Sequence, residues 1–329
     1  MVGTGRLFIF TLFILIGLGF YSCKPKADNT PRLKDTVTVP VKSSLFLSEG
    51  LAEPVSVVTR TLSDGTKAEC YKIVVKSIPS DHNMGPWCPE NITDDSSAGG
   101  IWMEGGNVYD VDGAFIKNLA SFYNDNTWMM YDANTGAIIK TGTKEECADA
   151  ANPNVGEEYK NFCVECMPSY VGDITHTYYI PVRPKVAVRP YKYSRGPGGG
   201  LGRRMPSVRG LAFNGVVFDA PAPVDRILEA YTLAPFDDAG GHINLAAGYH
   251  YHAATGLSTK IYQSDTHAAM IGYAMDGYGI YENKDAEGNS YHDLDASRGH
   301  YDSSRGYHYH VDKAGSNNFI DGLRGEFAE

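Results

Sequence analysis

The sequence predicts an α+β protein that is mainly β, with a C-terminal half built as an internally duplicated unit of a β-hairpin followed by a histidine-bearing strand. Three observations predict this class: 36 glycines among 329 residues, short apolar stretches between turn residues, and one spaced motif that occurs twice. Two such copies commonly pack about a pseudo-twofold axis. The formal net charge of -10 excludes the broad positive surface that nucleic-acid binding requires, so no nucleic-acid partner is expected.

The N-terminal sequence predicts an export signal and a lipid anchor. After Arg6, residues 7–21 are almost wholly apolar but are fewer than the roughly 20 residues of a membrane-spanning helix, so residues 1–22 are predicted to be a lipoprotein-type signal peptide. Cys23 follows a small residue, which resembles the lipid-attachment site of bacterial lipoproteins. An ordinary secretory signal with an incidental cysteine is the alternative. Either signal places the mature protein outside the cytoplasm, and the first predicts a lipid anchor on Cys23, in the periplasmic or surface-facing cell envelope.

Residues 23–44 are polar and predict a flexible tether, and residues 45–189 predict an N-terminal region of short strands. Strands are expected at 55–62 and 70–75, around a turn at 63–65. Apolar residues at helical spacing predict a helix at 113–123, and Thr143 is suited to cap a second helix that begins at Lys144.

Five cysteines remain once Cys23 is set aside. Outside the cytoplasm disulfides are the expected fate of most of them, and an odd number leaves one thiol over. Cys163 and Cys166 have the two-residue gap of a zinc knuckle or a redox pair, but no second pair follows at zinc spacing. Structural disulfides are therefore expected. The five are Cys70, Cys88, Cys147, Cys163 and Cys166.

Residues 190–329 contain the duplication. A Gly-rich basic stretch, 194–204, predicts a flexible connection or a long hairpin loop. Asn214-Gly215 and Asp276-Gly277 lie between apolar residues and predict hairpins at 210–218 and 272–280. A short helix at 225–233 is expected in the first copy only. Residues 237–252 and 295–310 then share the pattern Asp-x3-Gly-His-x5-Gly-Tyr-His-Tyr-His.

The repeated histidines predict a metal site. Alternate side chains of a strand share a face, so the two histidines of each Tyr-His-Tyr-His point to one side and the tyrosines to the other. The histidine of each Gly-His lies far enough upstream for a turn to bring it back. Neutral imidazole suits Cu or Zn. The expected ligands are His242, His250, His252, His300, His308 and His310.

Other residues have weaker signals. His267 precedes the second hairpin and could orient or extend the site, whereas His82, His176 and His292 have no repeat partner. Three carboxylates are expected beside the histidines: Asp237, Asp276 and Asp295. Asp276 or Asp237 could act as a base or as an acceptor for a metal-bound water. A purely structural histidine network, in which each ring donates to a backbone carbonyl or to Asp237 and Asp295, is the alternative to metal binding.

The doubled Tyr-His-Tyr-His, with the Asp276-Gly277 hairpin between the copies, resembles the bacterial YHYH domain family over about residues 175–325. A late Arg324-Gly325 and the segment 79–89 also match that resemblance. It implies a secreted, often lipid-anchored protein and supplies no established reaction. A cysteine that is frequent near the Gly-His of other members is missing here, so no thiolate ligand is expected.

Three hypotheses follow. The first is a cell-envelope protein that holds Cu or Zn through the two histidine strands, and the second is a metal-dependent hydrolase or oxidase that uses the same site. The third is a glycan- or partner-binding surface lipoprotein with structural histidines, whose stacking platform would use aromatic residues such as Trp87, Trp102 and Trp128.

Overall fold

A computed structural model describes residues 37–152, 154–193 and 205–329. The signal peptide, Cys23, most of the tether and the Gly-rich stretch at 194–204 lie outside the described residues. Fifteen strands and four α-helices are described, so the mainly β class is confirmed. No helix in these ranges combines the length and the apolar character needed to cross a bilayer.

The bounds of the elements are as follows. The strands are β1 Ser56–Thr61, β2 Lys67–Val75, β3 Ile101–Glu104, β4 Asn107–Asp110, β5 His176–Pro181, β6 Val186–Lys192, β7 Gly210–Ala212, β8 Val217–Phe218, β9 Gly241–Asn244, β10 Gly248–Tyr251, β11 Met270–Ala274, β12 Gly279–Tyr281, β13 Gly299–Asp302, β14 Gly306–His310 and β15 Gly322–Gly325. The helices are α1 Gly113–Lys117, α2 Leu119–Phe122, α3 Lys144–Ala150 and α4 Val224–Glu229.

An eight-stranded sheet forms the centre of the C-terminal half, in the order β13-β14-β12-β11-β7-β8-β10-β9. The two halves of this order have corresponding pairings. β8 runs parallel to β10 as β12 runs parallel to β14, and β9 pairs with β10 as β13 pairs with β14. β7 and β11 meet antiparallel in the middle. The duplication itself stays an interpretation of the sequence, but the strands that it predicts are present.

Both predicted hairpins form, and glycine makes their turns possible. Gly215 has a φ of 90° and Gly277 a φ of 87°, a backbone region that residues with a Cβ rarely adopt. Asn214 and Asp276 stay at negative φ and accept hydrogen bonds from the backbone two residues on, at Val216 and Tyr278. Each turn therefore combines a side-chain acceptor with a glycine, as the two dipeptides predict.

The N-terminal region packs against this sheet as part of one compact unit, Thr36–Glu329. β1, β2 and β5 form a three-stranded sheet, and the β1–β2 pair confirms the hairpin predicted around residues 63–65. The helix predicted at 113–123 is divided into α1 and α2 at Asn118. Thr143 caps α3 in a capping box with Glu146. α4 ends earlier than predicted because Tyr231 takes a φ of 55°.

The tether is shorter at its C-terminal end than the sequence indicates. Val41 is buried and its N–H donates to the carbonyl of Val182. The N–H of Lys42 donates to the Tyr273 hydroxyl. Residues 41–44 therefore belong to the folded unit.

Two disulfides confirm the expected fate of the cysteines. Cys88 is bonded to Cys163 and Cys147 to Cys166, and Cys70 is left as a buried free thiol. Cys163 and Cys166 thus have separate partners and form neither a redox pair nor a zinc knuckle.

Candidate metal centres

The histidine strands bring seven imidazoles together in two separate groups. The first group comprises His242, His250 and His252, and the second comprises His267, His300, His308 and His310. In each group the possible ligand atoms lie within 4.8 Å of one another. Antiparallel pairing explains the return of the upstream histidine, since His242 lies opposite His250 and His300 lies opposite His308.

In the second group four Nε2 atoms converge. The Nε2 atom of His308 lies 3.0 Å from that of His267 and 3.0 Å from that of His300. The Nε2 atoms of His300 and His310 are 3.2 Å apart. A tetrahedral ion with metal–nitrogen bonds of about 2.0–2.1 Å separates its ligands by about 3.3–3.4 Å, which is close to these distances.

The other ring nitrogen of each histidine in this group faces an acceptor. Nδ1 of His308 lies 2.9 Å from the Gly306 carbonyl, and Nδ1 of His310 lies 2.8 Å from that of Glu282. Nδ1 of His267 faces the Ala268 carbonyl, and Nδ1 of His300 faces the Asp293 carboxylate. A carbonyl oxygen only accepts, so Nδ1 carries the proton. The lone pairs of the Nε2 atoms therefore point at each other, which fits a cation between them.

The first group repeats this design with three rings. The three ring centroids form a triangle whose sides are all 4.8 Å. The Nε2 atoms of His242 and His252 are 3.2 Å apart. Nδ1 of His250 donates to Gly248 and Nδ1 of His252 donates to Ala220, the positions that correspond to Gly306 and Glu282. Three ligands leave one tetrahedral position without a protein donor.

A cavity of about 290 Å³ lies beside this group. All three histidines line it, together with apolar residues of both halves of the chain, among them Trp87, Ile227 and Ile243. The indole N–H of Trp87 donates to the Gly241 carbonyl, which fixes the wall next to His242.

Burial lowers the pKa of six of the seven imidazoles and so favours their neutral form. It lowers the pKa of His308 to about 3 and lowers the pKa values of His242, His250 and His252. A neutral ring keeps its lone pair available at pH 7, as a metal ligand requires.

The two groups are too far apart for ions bound in them to act together on one substrate, as the ions of a two-metal centre do. β10 and β14 are separated by five strand-to-strand steps in the sheet. At about 4.8 Å per step, the groups lie on the order of 24 Å apart, whereas paired metals lie about 3.5–4 Å apart. The arrangement is two separate sites.

The tyrosines of the motif lie on the opposite face of their strands, where they form hydrogen bonds with the three carboxylates that were expected beside the histidines. The Tyr249 hydroxyl donates to Asp237, that of Tyr307 to Asp295, and that of Tyr309 to Asp276. None of these carboxylates contacts a histidine in either group within the described residues. The reason is the two-residue period of a strand, which puts tyrosines and histidines on opposite faces.

These contacts lock the strands in place. Tyr251 accepts from Asn214 in the first hairpin turn, as Tyr309 donates to Asp276 in the second. The Asn-Gly and Asp-Gly turns thus hold the histidine strands through the tyrosines. Asp276 also accepts from the backbone N–H of Gly325.

Asp276 makes stability depend on pH. Its side chain is completely buried, and burial raises its pKa from 3.8 to about 6 although Tyr309 and Gly325 favour the ionised form. The folded protein then holds a proton that the unfolded chain loses between about pH 4 and 6. The free energy of unfolding of the wild type, relative to Asp276→Asn, should fall by up to about 3 kcal/mol across that window. Urea denaturation at several pH values, with chelator present, measures it, and a constant difference would contradict it.

His267 and Asp293 are the site residues that are hardest to predict from the sequence. His267 has no repeat partner, because Met205 occupies the corresponding position before the first hairpin. Of the unrepeated histidines, His82 pairs with Asp81, and His176 lies 3.2 Å from the Ala246 carbonyl. Among the described residues, neither of these nor His292 belongs to a group that could hold a metal.

The positions of the three tryptophans do not support the hypothesis of a glycan-stacking platform. Trp87, Trp102 and Trp128 are all buried, at 5%, 0% and 6% exposure. They therefore offer no stacking surface to a glycan.

Comparison with known families supports the resemblance. A family model described as YHYH protein matches residues 177–293. The match contains the first Tyr-His-Tyr-His and ends before the second, so it is narrower than the 175–325 expected from the motifs. No curated protein matches the chain, and neither does any solved structure.

Proposed function

We propose that this chain is a metal-binding protein of the bacterial cell envelope that holds one Cu or Zn ion in each histidine group. The observation that carries the proposal is the convergence of the ring nitrogens, together with the Nδ1 atoms of six of the seven rings, each of which faces an acceptor. A structural hydrogen-bond network would need a proton between the facing Nε2 atoms. A neutral imidazole carries only one N–H proton, and on every ring of the second group that proton is used by the contact of Nδ1. The apolar N-terminus and Cys23 support a lipid anchor.

The metal content tests the proposal directly. The full chain, dialysed against excess Zn or Cu and then washed, is expected to retain two equivalents by elemental analysis. His250→Ala and His308→Ala occupy corresponding positions of the two groups, and each is expected to retain one. The double variant is expected to retain none.

His176→Ala is the matched control, since this histidine lies outside both groups, and it should retain two equivalents. A wild type that retains no metal, or a double variant that retains two equivalents, would overturn the proposal. Circular dichroism of each variant separates lost ligands from lost structure.

Catalysis at the first group is the second candidate function, because this group has three ligands and all three line a cavity. A metal ion there would supply Lewis-acid or redox chemistry. Hydrolase or oxidase turnover that survives in His308→Ala and disappears in His250→Ala would establish it.

A further inference from the structure

The cavity beside the first histidine group has the size of a pocket for a small ligand. Its volume of about 290 Å³ lies at the lower end of the roughly 300–1,000 Å³ of ligand pockets. A body of about one aromatic ring fits such a space, since a cavity of about 150 Å³ already holds benzene.

Most polar groups of the cavity wall are already used within the protein. The Thr232 hydroxyl donates to the Ile227 carbonyl, and the Asn244 side chain accepts from the backbone of Ala246. Glu165 forms an ion pair with Lys140 at 2.7 Å. The wall therefore offers an occupant mainly apolar contacts, supplied by residues such as Trp87 and Ile243.

The charge at the base of the cavity favours an anion. Three neutral imidazoles do not balance a divalent ion, and a buried net positive charge is costly without a partner. Asp219 lines the cavity and its charge acts on His250, so it offsets one charge of a divalent ion, but it is not among the residues whose ligand atoms converge with the three histidines. The fourth position is thus left to a donor that comes from outside the chain.

The second group differs from the first in its number of histidines and in the packing around its rings. It has a fourth histidine, His267, and two tyrosines pack against its rings. The Tyr291 ring centroid lies 3.8 Å from that of His310, and the Tyr281 centroid lies 4.9 Å from that of His308. Ligand exchange should therefore be confined to the first group.

We infer that the first group binds a small organic acid, a carboxylate on an apolar body of about one ring, with the carboxylate at the fourth position of the ion. The inference rests on the proposed metal binding and adds the chemical class of the ligand. It also makes the second group a closed, structural counterpart of the first.

Cobalt provides the readout, since the visible absorption of tetrahedral Co(II) changes when its fourth ligand changes. The test uses the full wild-type chain, loaded with Co(II), and titrates it with benzoate and separately with azide. Both anions should change the spectrum. The corresponding His250→Ala protein, in which only the second group has its full set of histidines, should respond to neither.

Ile227→Trp fills the cavity and leaves the histidines in place. Benzoate should bind about tenfold more weakly or worse, because overpacking costs about 1–3 kcal/mol, while azide should bind almost unchanged. Equal benzoate binding in both proteins, or a spectrum that responds to azide alone, overturns the inference and leaves metal binding intact. Absence of cobalt from the wild-type chain overturns both.

Discussion

Replacing Cys88 and Cys163 together by alanine is expected to lower the free energy of unfolding by about 4 kcal/mol. Their disulfide joins residues 75 positions apart, and closing a loop of that length in the unfolded chain costs between the roughly 3 and 4.7 kcal/mol of 15- and 100-residue loops. Both cysteines are buried in the cluster that contains Trp102 and Phe236. Their removal therefore also leaves small cavities in a packed core.

Two controls separate loop closure from packing. Cys70→Ala removes a buried thiol that closes no loop, and it should cost far less. Removing Cys147 and Cys166, which are 19 positions apart, should cost about 3 kcal/mol. Urea denaturation without reductant and with chelator measures all three. A loss in the Cys88/Cys163 variant no larger than that of Cys70→Ala would contradict the expectation.

Much of the site follows from local rules. The two-residue period of a strand places His250 and His252 on one face. The short turn after Asn244 reverses the chain, so that His250 pairs with His242 and all three rings lie on the same face. The repeat then predicts the same arrangement for His300, His308 and His310. These inferences need only geometry within about 16 residues of chain, which is why the sequence carries them.

The remainder depends on contacts that are remote in the sequence. His267 reaches the second group because β11 and β12 form a hairpin beside β14, so that His267 lies 41 positions from His308 in sequence and 3.0 Å from it in space. Nothing in the sequence showed that the histidines of the two copies form separate groups. That result follows from the strand order, which puts β9 and β13 at opposite edges of the sheet.

The carboxylates show how a correct pattern can be assigned to the wrong neighbours. Asp237 and Asp295 repeat with the histidines, so both were expected to orient imidazoles. Their partners are instead Tyr249 and Tyr307, which repeat just as strictly. The buried carboxylate of Asp237 needs a donor such as the Tyr249 hydroxyl, whereas the rings of His250 and His308 donate to backbone carbonyls.

Saturating metal is expected to stabilise the protein through both groups. An ion that binds only the folded state adds about 4 kcal/mol to the free energy of unfolding when its free concentration is about 1,000 times its dissociation constant. Two independent sites then give about 8 kcal/mol. Without the ion the gain disappears, and Nε2 lone pairs 3.0 Å apart at His308 repel each other.

Variants divide this gain between the groups. His250→Ala and His308→Ala should each keep about 4 kcal/mol of metal-dependent stabilisation, and His176→Ala should keep all of it. Urea denaturation of each protein with chelator and with buffered metal measures the difference. Because the sites lie on the order of 24 Å apart along the sheet, the two losses should add. If the double variant His250→Ala/His308→Ala kept the full gain, the histidine groups would not be the source of the metal-dependent stabilisation.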